Sequence, residues 1–298
     1  MTYGGSVGRD TTAACVRRAF DQGVTLFDTA NEYQGGKAEA VLGDAVRALP
    51  RDAVVLATKA YFPMGDRPTQ RGLSRKHLFE QAGASLRRLR TDHIDLYQCH
   101  RYDTATPLAE TCRAMDDLVR SGAVLYWGVS EWTADQIADA ASLCRAHGWA
   151  EPVSNQPQYS ALWRRVETDV LGTSAEHGLG TLAWSPLAMG VLTGKYRPGS
   201  APPTDSRAAG SGASFIQRYF RPGVLEAVEA ATKVAAETGV PLARLALAWC
   251  LRRAEVCSVL VGASQPRQVD ENVAAADFDP PMEVIARFDE VLAPVALS

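Results

Sequence analysis

The chain has 298 residues, enough for two domains or one large α/β barrel, and 46% of them are apolar, enough to fill a packed core. A net charge of -3 gives no basic surface to argue for nucleic acid or an anionic membrane. Residues 1–10 show no positive region followed by an apolar run, so no secretory signal is expected, and no stretch reaches the ~20 apolar residues of a membrane span.

Thr11 or Thr12 opens a predicted helix through Val16 and Phe20 that Gly23 ends. A strand follows at Val24, Leu26 and Phe27 and stops at the polar run Asp28-Thr29-Ala30-Asn31-Glu32-Tyr33. Residues 37–49 carry a helical stripe, Pro50-Arg51-Asp52 turns, and 53–57 is an apolar strand ending in Thr58-Lys59. Ser74 caps a helix with Leu78, Leu86 and Leu89, and the strand at 94–99 ends in His100. A helix at 107–121 closes on Gly122, and the strand at 124–129 ends in Ser130. Thr133 caps a helix that runs to His147, and Val153 leads a short strand into Asn155-Gln156. A helix at 166–177 precedes a strand at 181–184 that ends in Ser185-Pro186. The interval 188–222, with Gly190, Gly194, Gly199, Gly210, Pro198, Pro202 and Pro203, breaks this rhythm and reads as a long functional loop. Helices resume at Val224 and Pro241. The last strand, 258–261, runs into Gly262-Ala263-Ser264 and a helix from Pro266.

Alternating strand and helix at a spacing of one βα unit, with strand cores apolar on both faces, predicts a parallel sheet covered on both sides. The two candidates are an eightfold barrel and a doubly wound sheet. The second should carry Gly-x-Gly-x-x-Gly after its first strand. Gly4-Gly5-Ser6-Val7-Gly8 has the wrong spacing for it, so a single barrel domain over 1–298 is expected. The six cysteines, Cys15, Cys99, Cys112, Cys144, Cys250 and Cys257, form no Cys-x-x-Cys pair and no zinc spacing. They read as reduced thiols of a cytoplasmic protein without a structural metal.

In a barrel, the C-terminal strand ends form one mouth. Here they are Asp28, Lys59, His100, Ser130, Asn155-Gln156, Ser185 and Ser264, with Tyr33 just beyond the first. Each has an ordinary reading: Asp28 a turn cap, Lys59 a solvated charge, His100 a satisfied imidazole. Together they make a proton-delivery set for a carbonyl oxygen. The phenol is the acid, an ammonium lowers its pKa, a carboxylate holds the ammonium, and an imidazole donates a hydrogen bond. Nothing in the set can give a hydride, so a reduced cofactor must.

These residues, with Leu-Tyr-Trp-Gly-Val-Ser-Glu-Trp (125–132) and Trp-Ser-Pro-Leu-Ala-Met-Gly (184–190), resemble the aldo-keto reductases over nearly the whole chain. The wording is most similar to the branch of potassium-channel beta subunits and their bacterial relatives. The resemblance implies an α/β fold, a (β/α)8 TIM barrel, that reduces an aldehyde or ketone with NADPH/NADP+. It places the family tetrad on Asp28, Tyr33, Lys59 and His100. It implies carboxamide contacts from Ser130, Asn155 and Gln156, and stacking of Trp184 on the nicotinamide. Ser185, Leu187, Gly190 and Lys195 would line the pyrophosphate, and Arg207, within Asp205-Ser206-Arg207, would contact the adenosine side. Gly262, Ser264, Gln268, Glu271 and Asn272 would form the adenine and 2′-phosphate site. Tyr61, Phe62, Arg101, Tyr102 and Trp132 lie on loops after strands and are expected to line the carbonyl pocket.

Counting strands gives seven, at Leu26, Val54, Ile94, Val124, Val153, Thr181 and Ser258, and Met1 stands where the family's first strand ends. The expectation is therefore a barrel without the N-terminal hairpin and first strand, and with a cofactor-covering loop at 188–222. Two other functions compete. One is an NADPH-binding, redox-sensing regulatory subunit with little turnover, against which His100 argues. The other is a Schiff-base lyase using Lys59, which leaves the Gly-Ala-Ser motif unexplained. The expected partner is a small-molecule carbonyl compound, with no nucleic acid or membrane; the sequence leaves the substrate and a homo-oligomeric state open.

Overall fold

The computed structural model describes residues 3–204, 206–209 and 213–298. Met1, Asp205 and Gly210, named above, lie outside the described residues. The elements run α1 (Arg9–Asp21), β1 (Leu26–Asp28), α2 (Lys37–Val46), β2 (Val55–Ala60), α3 (Arg75–Leu89), β3 (Ile94–Cys99), α4 (Leu108–Arg120), β4 (Val124–Val129) and α5 (Ala134–His147). They continue β5 (Ser154–Asn155), α6 (Val170–Glu176), β6 (Gly180–Trp184), α7 (Ala213–Ile216), α8 (Val224–Glu237), α9 (Leu242–Leu251), β7 (Val256–Leu260), α10 (Pro266–Val273) and α11 (Met282–Leu292).

Among the described residues seven strands lie in one sheet in chain order, β1 to β7, and the registered pairs from β1 to β6 are parallel. A doubly wound sheet reverses its order at a switch point; this one does not, so the topology is that of the α/β barrel class. The chain divides into two compact units. One comprises Met1–Gln156, Thr173–Thr181 and Gly262–Asp270, and the other Pro157–Gly172, Leu182–Val261 and Glu271–Ser298.

In the first unit, Val16, Phe27, Leu42, Val46, Leu56 and Leu89 pack α1, α2 and α3 onto β1 and β2. Each buried aliphatic side chain contributes roughly 1.5–3 kcal/mol. Two glycines set how closely these elements approach. A Cβ on Gly43 of α2 would meet the Leu89 carbonyl oxygen of α3 at 2.5 Å. One on Gly128 of β4 would meet Ser154 Oγ of β5 at 2.1 Å. In the second unit, α9 is buried along Leu245, Ala246, Leu247, Trp249 and Cys250. Asp289 of α11 accepts from Trp249 Nε1 at 2.8 Å and pairs with Arg164 at 2.7 Å. Among the described residues no single helix is long and apolar enough to cross a membrane; α8 and α9 reach that length only as a pair bent by 88°.

Several expectations shift. β2 runs on through Lys59 to Ala60, because Ala60 has Cys99 of β3 to pair with. The helix expected over 166–177 is a 3₁₀ turn at Arg165–Glu167 followed by α6. The last strand begins at Val256, two residues before the predicted Ser258. The interval 188–222 holds 3₁₀ turns at Ala188–Thr193, Arg207–Ala209 and Gln217–Tyr219 as well as α7.

Candidate active site

Strand register brings the first group together. Asp28 is the Cα partner of Ala57, and Lys59 lies two residues further along β2, hence on the same face. Lys59 in turn is the partner of Gln98 on β3. Beyond β1, Asn31 N–H still donates to the Lys59 carbonyl at 3.0 Å, so the chain follows β2 before it turns into the 3₁₀ turn that carries Tyr33.

Lys59 is completely buried and donates from Nζ to Asp28 Oδ2 at 2.5 Å and to the Thr29 carbonyl at 2.7 Å. Burial alone would depress its pKa; the charges of Asp28 and then Tyr33 outweigh it, and the group ends above the ordinary lysine value. Its ammonium stands 5.2 Å from the centre of the Tyr33 ring. Asp28 Oδ1 accepts from Gln156 Nε2 at 3.0 Å and from Gln98 Nε2 at 3.3 Å, and those two amides bond each other. Ser130 donates to the Gln156 carbonyl at 2.7 Å. The Asn155 amide donates to Ser174 Oγ at 3.4 Å, and its Oδ1 is buried without a partner among the described residues.

His100 completes the group, its ring centre 5.8 Å from that of Tyr33. Burial, then the charges of Lys59 and Arg101, lower its pKa to about 2, so it is a neutral imidazole. Its Nδ1 is buried with no partner. The phenol goes against expectation. Burial pushes Tyr33 above the ordinary tyrosine value, and the opposing pull of Lys59 is weaker than burial. Around His100 stand Phe62 at 4.9 Å, with Tyr61 against Phe62 at 5.3 Å and Arg101 beside it at 5.5 Å. Tyr102 packs on Trp132 at 4.8 Å, and the Trp132 Nε1 is buried without a partner.

Gln98 is the residue sequence reading missed here. The available signal was a polar side chain two residues before His100, where the strand approaches its C-terminal end. Ser264 stands before α10, where its N–H and its hydroxyl both donate to Gln268 Oε1, at 2.7 and 3.1 Å. Gly262 lies between β7 and Ser264, and Glu271 and Asn272 lie in the last turn of α10.

The second unit carries a separate polar group after β6, the strand that ends in Trp184. Ser185, Ala188, Met189 and Gly190 all have positive φ, at 54°, 48°, 61° and 97°. Non-glycine residues adopt that region at a cost of about 1–2 kcal/mol each, and such strain clusters at binding sites. Leu187 lies inside the same turn and accepts from Gly190 N–H at 2.8 Å. A side chain at position 190 would meet Lys195 Cε at 3.3 Å. Arg207 donates to Met189 Sδ at 2.8 Å, and no carboxylate among the described residues pairs with it. Among the described residues, Tyr196 OH and Ser206 Oγ are buried without partners. A guanidinium facing a thioether, a nearby lysine and two unpartnered hydroxyls suit a phosphate-bearing ligand. No group of three His, Cys, Asp or Glu among the described residues is arranged to hold a metal ion.

The model of the Aldo/keto reductase family matches residues 1–293. An Arabidopsis thaliana protein named "Probable voltage-gated potassium channel subunit beta" is 39% identical over 283 residues, 94% of this chain and 86% of the relative. An Oryza sativa subsp. japonica protein of the same name is 38% identical over 297 residues, 98% of this chain and 90% of the relative. A Schizosaccharomyces pombe protein named "Putative voltage-gated potassium channel subunit beta" is 38% identical over 303 residues, covering 98% and 87%.

Proposed function

The chain belongs to the aldo/keto reductase family, and from that premise we propose that it reduces an aldehyde or ketone to an alcohol with NADPH. The observation that carries this reading is the buried Asp28–Lys59 pair set against the Tyr33 phenol, with a neutral His100 beside it. Tyr33 gives its proton to the carbonyl oxygen as negative charge develops there. Lys59 stabilises the phenolate that remains, and Asp28 keeps Lys59 charged and aimed, itself held by Gln98 and Gln156. His100, neutral, orients the carbonyl oxygen by a hydrogen bond rather than by charge. The phenol's raised pKa keeps it protonated until the substrate oxygen needs the proton.

NADPH, when bound, supplies the hydride. In the first unit the proposed contacts are Ser130, Asn155, Gln156, Gly262, Ser264 and Gln268. In the second they are Trp184, Ser185, Leu187, Gly190, Lys195, Arg207, Glu271 and Asn272, and the buried hydroxyls of Tyr196 and Ser206 join them. The left-handed turn and the Arg207 guanidinium support a phosphate there. A cytoplasmic location and a small-molecule carbonyl substrate belong to the same proposal, as does the covering role of 188–222.

The relatives are named for a channel subunit, and we keep beside the reductase a second reading, an NADPH-binding regulatory subunit with little turnover. Steady-state NADPH oxidation with a panel of aldehydes separates the two. Turnover that depends on the aldehyde supports the reductase; tight NADPH binding with no turnover supports the binding subunit.

A further inference from the structure

The loop after β3 holds a cation with donors left unspent. Arg101 follows His100, and a guanidinium has five N–H donors. One donates to the His100 carbonyl; among the described residues no carboxylate pairs with the others. Its central carbon lies 5.5 Å from the Phe62 ring centre, and the same ring has His100 at 4.9 Å. Its charge acts on both His100 and the half-buried Glu32, the residue before Tyr33, so the guanidinium sits beside the proposed reacting groups. Glu32 is near enough to sense it without pairing with it. The neighbouring cation, Lys59, is committed to Asp28. Phe62, the ring that Arg101 faces, has Tyr61 against it at 5.3 Å.

A half-buried guanidinium whose other donors meet no carboxylate among the described residues, set against the Phe62 ring and next to His100, is a receptor for a planar or tetrahedral oxyanion. We propose that Arg101 holds an oxyanion carried by the carbonyl substrate, so that the protein prefers aldehydes bearing a carboxylate or phosphate to their neutral counterparts. This rests on the reductase reading above.

Two matched pairs test it: 4-carboxybenzaldehyde against methyl 4-formylbenzoate, and glyceraldehyde 3-phosphate against glyceraldehyde. The quantity read is the ratio of kcat/KM, charged over neutral, which cancels general damage to the enzyme. The wild type should favour the charged member of at least one pair by about tenfold or more, the size of one charge-assisted contact. Which pair responds tells carboxylate from phosphate. Arg101→Gln should bring that ratio to about one, and Arg101→Lys should restore part of it. A wild-type ratio of one or below in both pairs, or a ratio that Arg101→Gln leaves unchanged, overturns the proposal. If no aldehyde is reduced, the reductase reading itself fails. Calorimetric binding of 4-(hydroxymethyl)benzoate and of its methyl ester, with NADP+ present and absent, then decides the role of Arg101. Tighter binding of the acid that Arg101→Gln abolishes supports the assignment, and equal binding of acid and ester overturns it.

Discussion

At the scale of single residues, the proposed chemistry depends on charges kept out of water. Lys59 is fully buried and its partner Asp28 partly so; removing one partner of a fully buried pair costs about 3–5 kcal/mol, and the low end applies here. Lys59→Met should therefore abolish turnover and lower stability by about 3 kcal/mol. Adding Asp28→Asn should recover most of the stability and none of the activity; urea melts and NADPH oxidation of both variants check this. His100 gives a pH signature. Its folded pKa, about 2, lies below the ordinary histidine value. As pH falls below ~6.5, the unfolded chain takes up a proton that the folded chain refuses. Stability contributed by the neutral imidazole is thus present above that pH and is lost below it, at up to about 1.4 kcal/mol per pH unit. Melts at pH 7.5, 5.5 and 4.5 should show that fall, and His100→Asn should make it shallower; an identical slope in the variant would contradict the assignment.

At the scale of elements, close approach is what the helices and strands require. Gly43→Ala puts a methyl against the Leu89 backbone and should cost about 1–3 kcal/mol. Gly83→Ala, within α3, meets nothing nearer than Arg87 at 3.6 Å and should stabilise by about 0.5–1 kcal/mol. Opposite signs in denaturant melts are the expected result. Much of this architecture was legible in the sequence, because most strands are largely apolar stretches that stop at a polar residue, and Asp28, Lys59 and His100 fall at or near successive stops. What was not legible depends on partners. Lys59 belongs to β2 only because β3 pairs with it there. The role of Gln98 appears once register sets it opposite Lys59. The rise in the Tyr33 pKa follows from how much protein surrounds the phenol, which no sequence spacing expresses. The left-handed residues at 188–190 include an alanine and a methionine, whose identity gives no sign of that conformation. By contrast, α11 is readable in the sequence alone: Val284, Ile285, Phe288 and Leu292 make a regular apolar stripe after Pro281.

For the molecule as a whole, each unit contributes its own part to the proposed reaction. The first holds the proton-delivery group, and the second holds a strained turn with Arg207 and Lys195 nearby. A 2′-phosphate held by charge-assisted hydrogen bonds gains roughly 1.5–3 kcal/mol each, so NADPH should bind about 10- to 100-fold tighter than NADH. Fluorescence titrations that give equal Kd values for the two cofactors would reject that part of the account. The central claim, that Tyr33 is the proton donor of a working carbonyl reductase, is tested most directly by one paired measurement on Tyr33→Phe: NADPH affinity and aldehyde-dependent NADPH oxidation in the same preparation. The account predicts an NADPH Kd within about threefold of wild type and turnover reduced by at least the ~100-fold typical of losing a general acid. Turnover close to wild type with the cofactor still bound would contradict it.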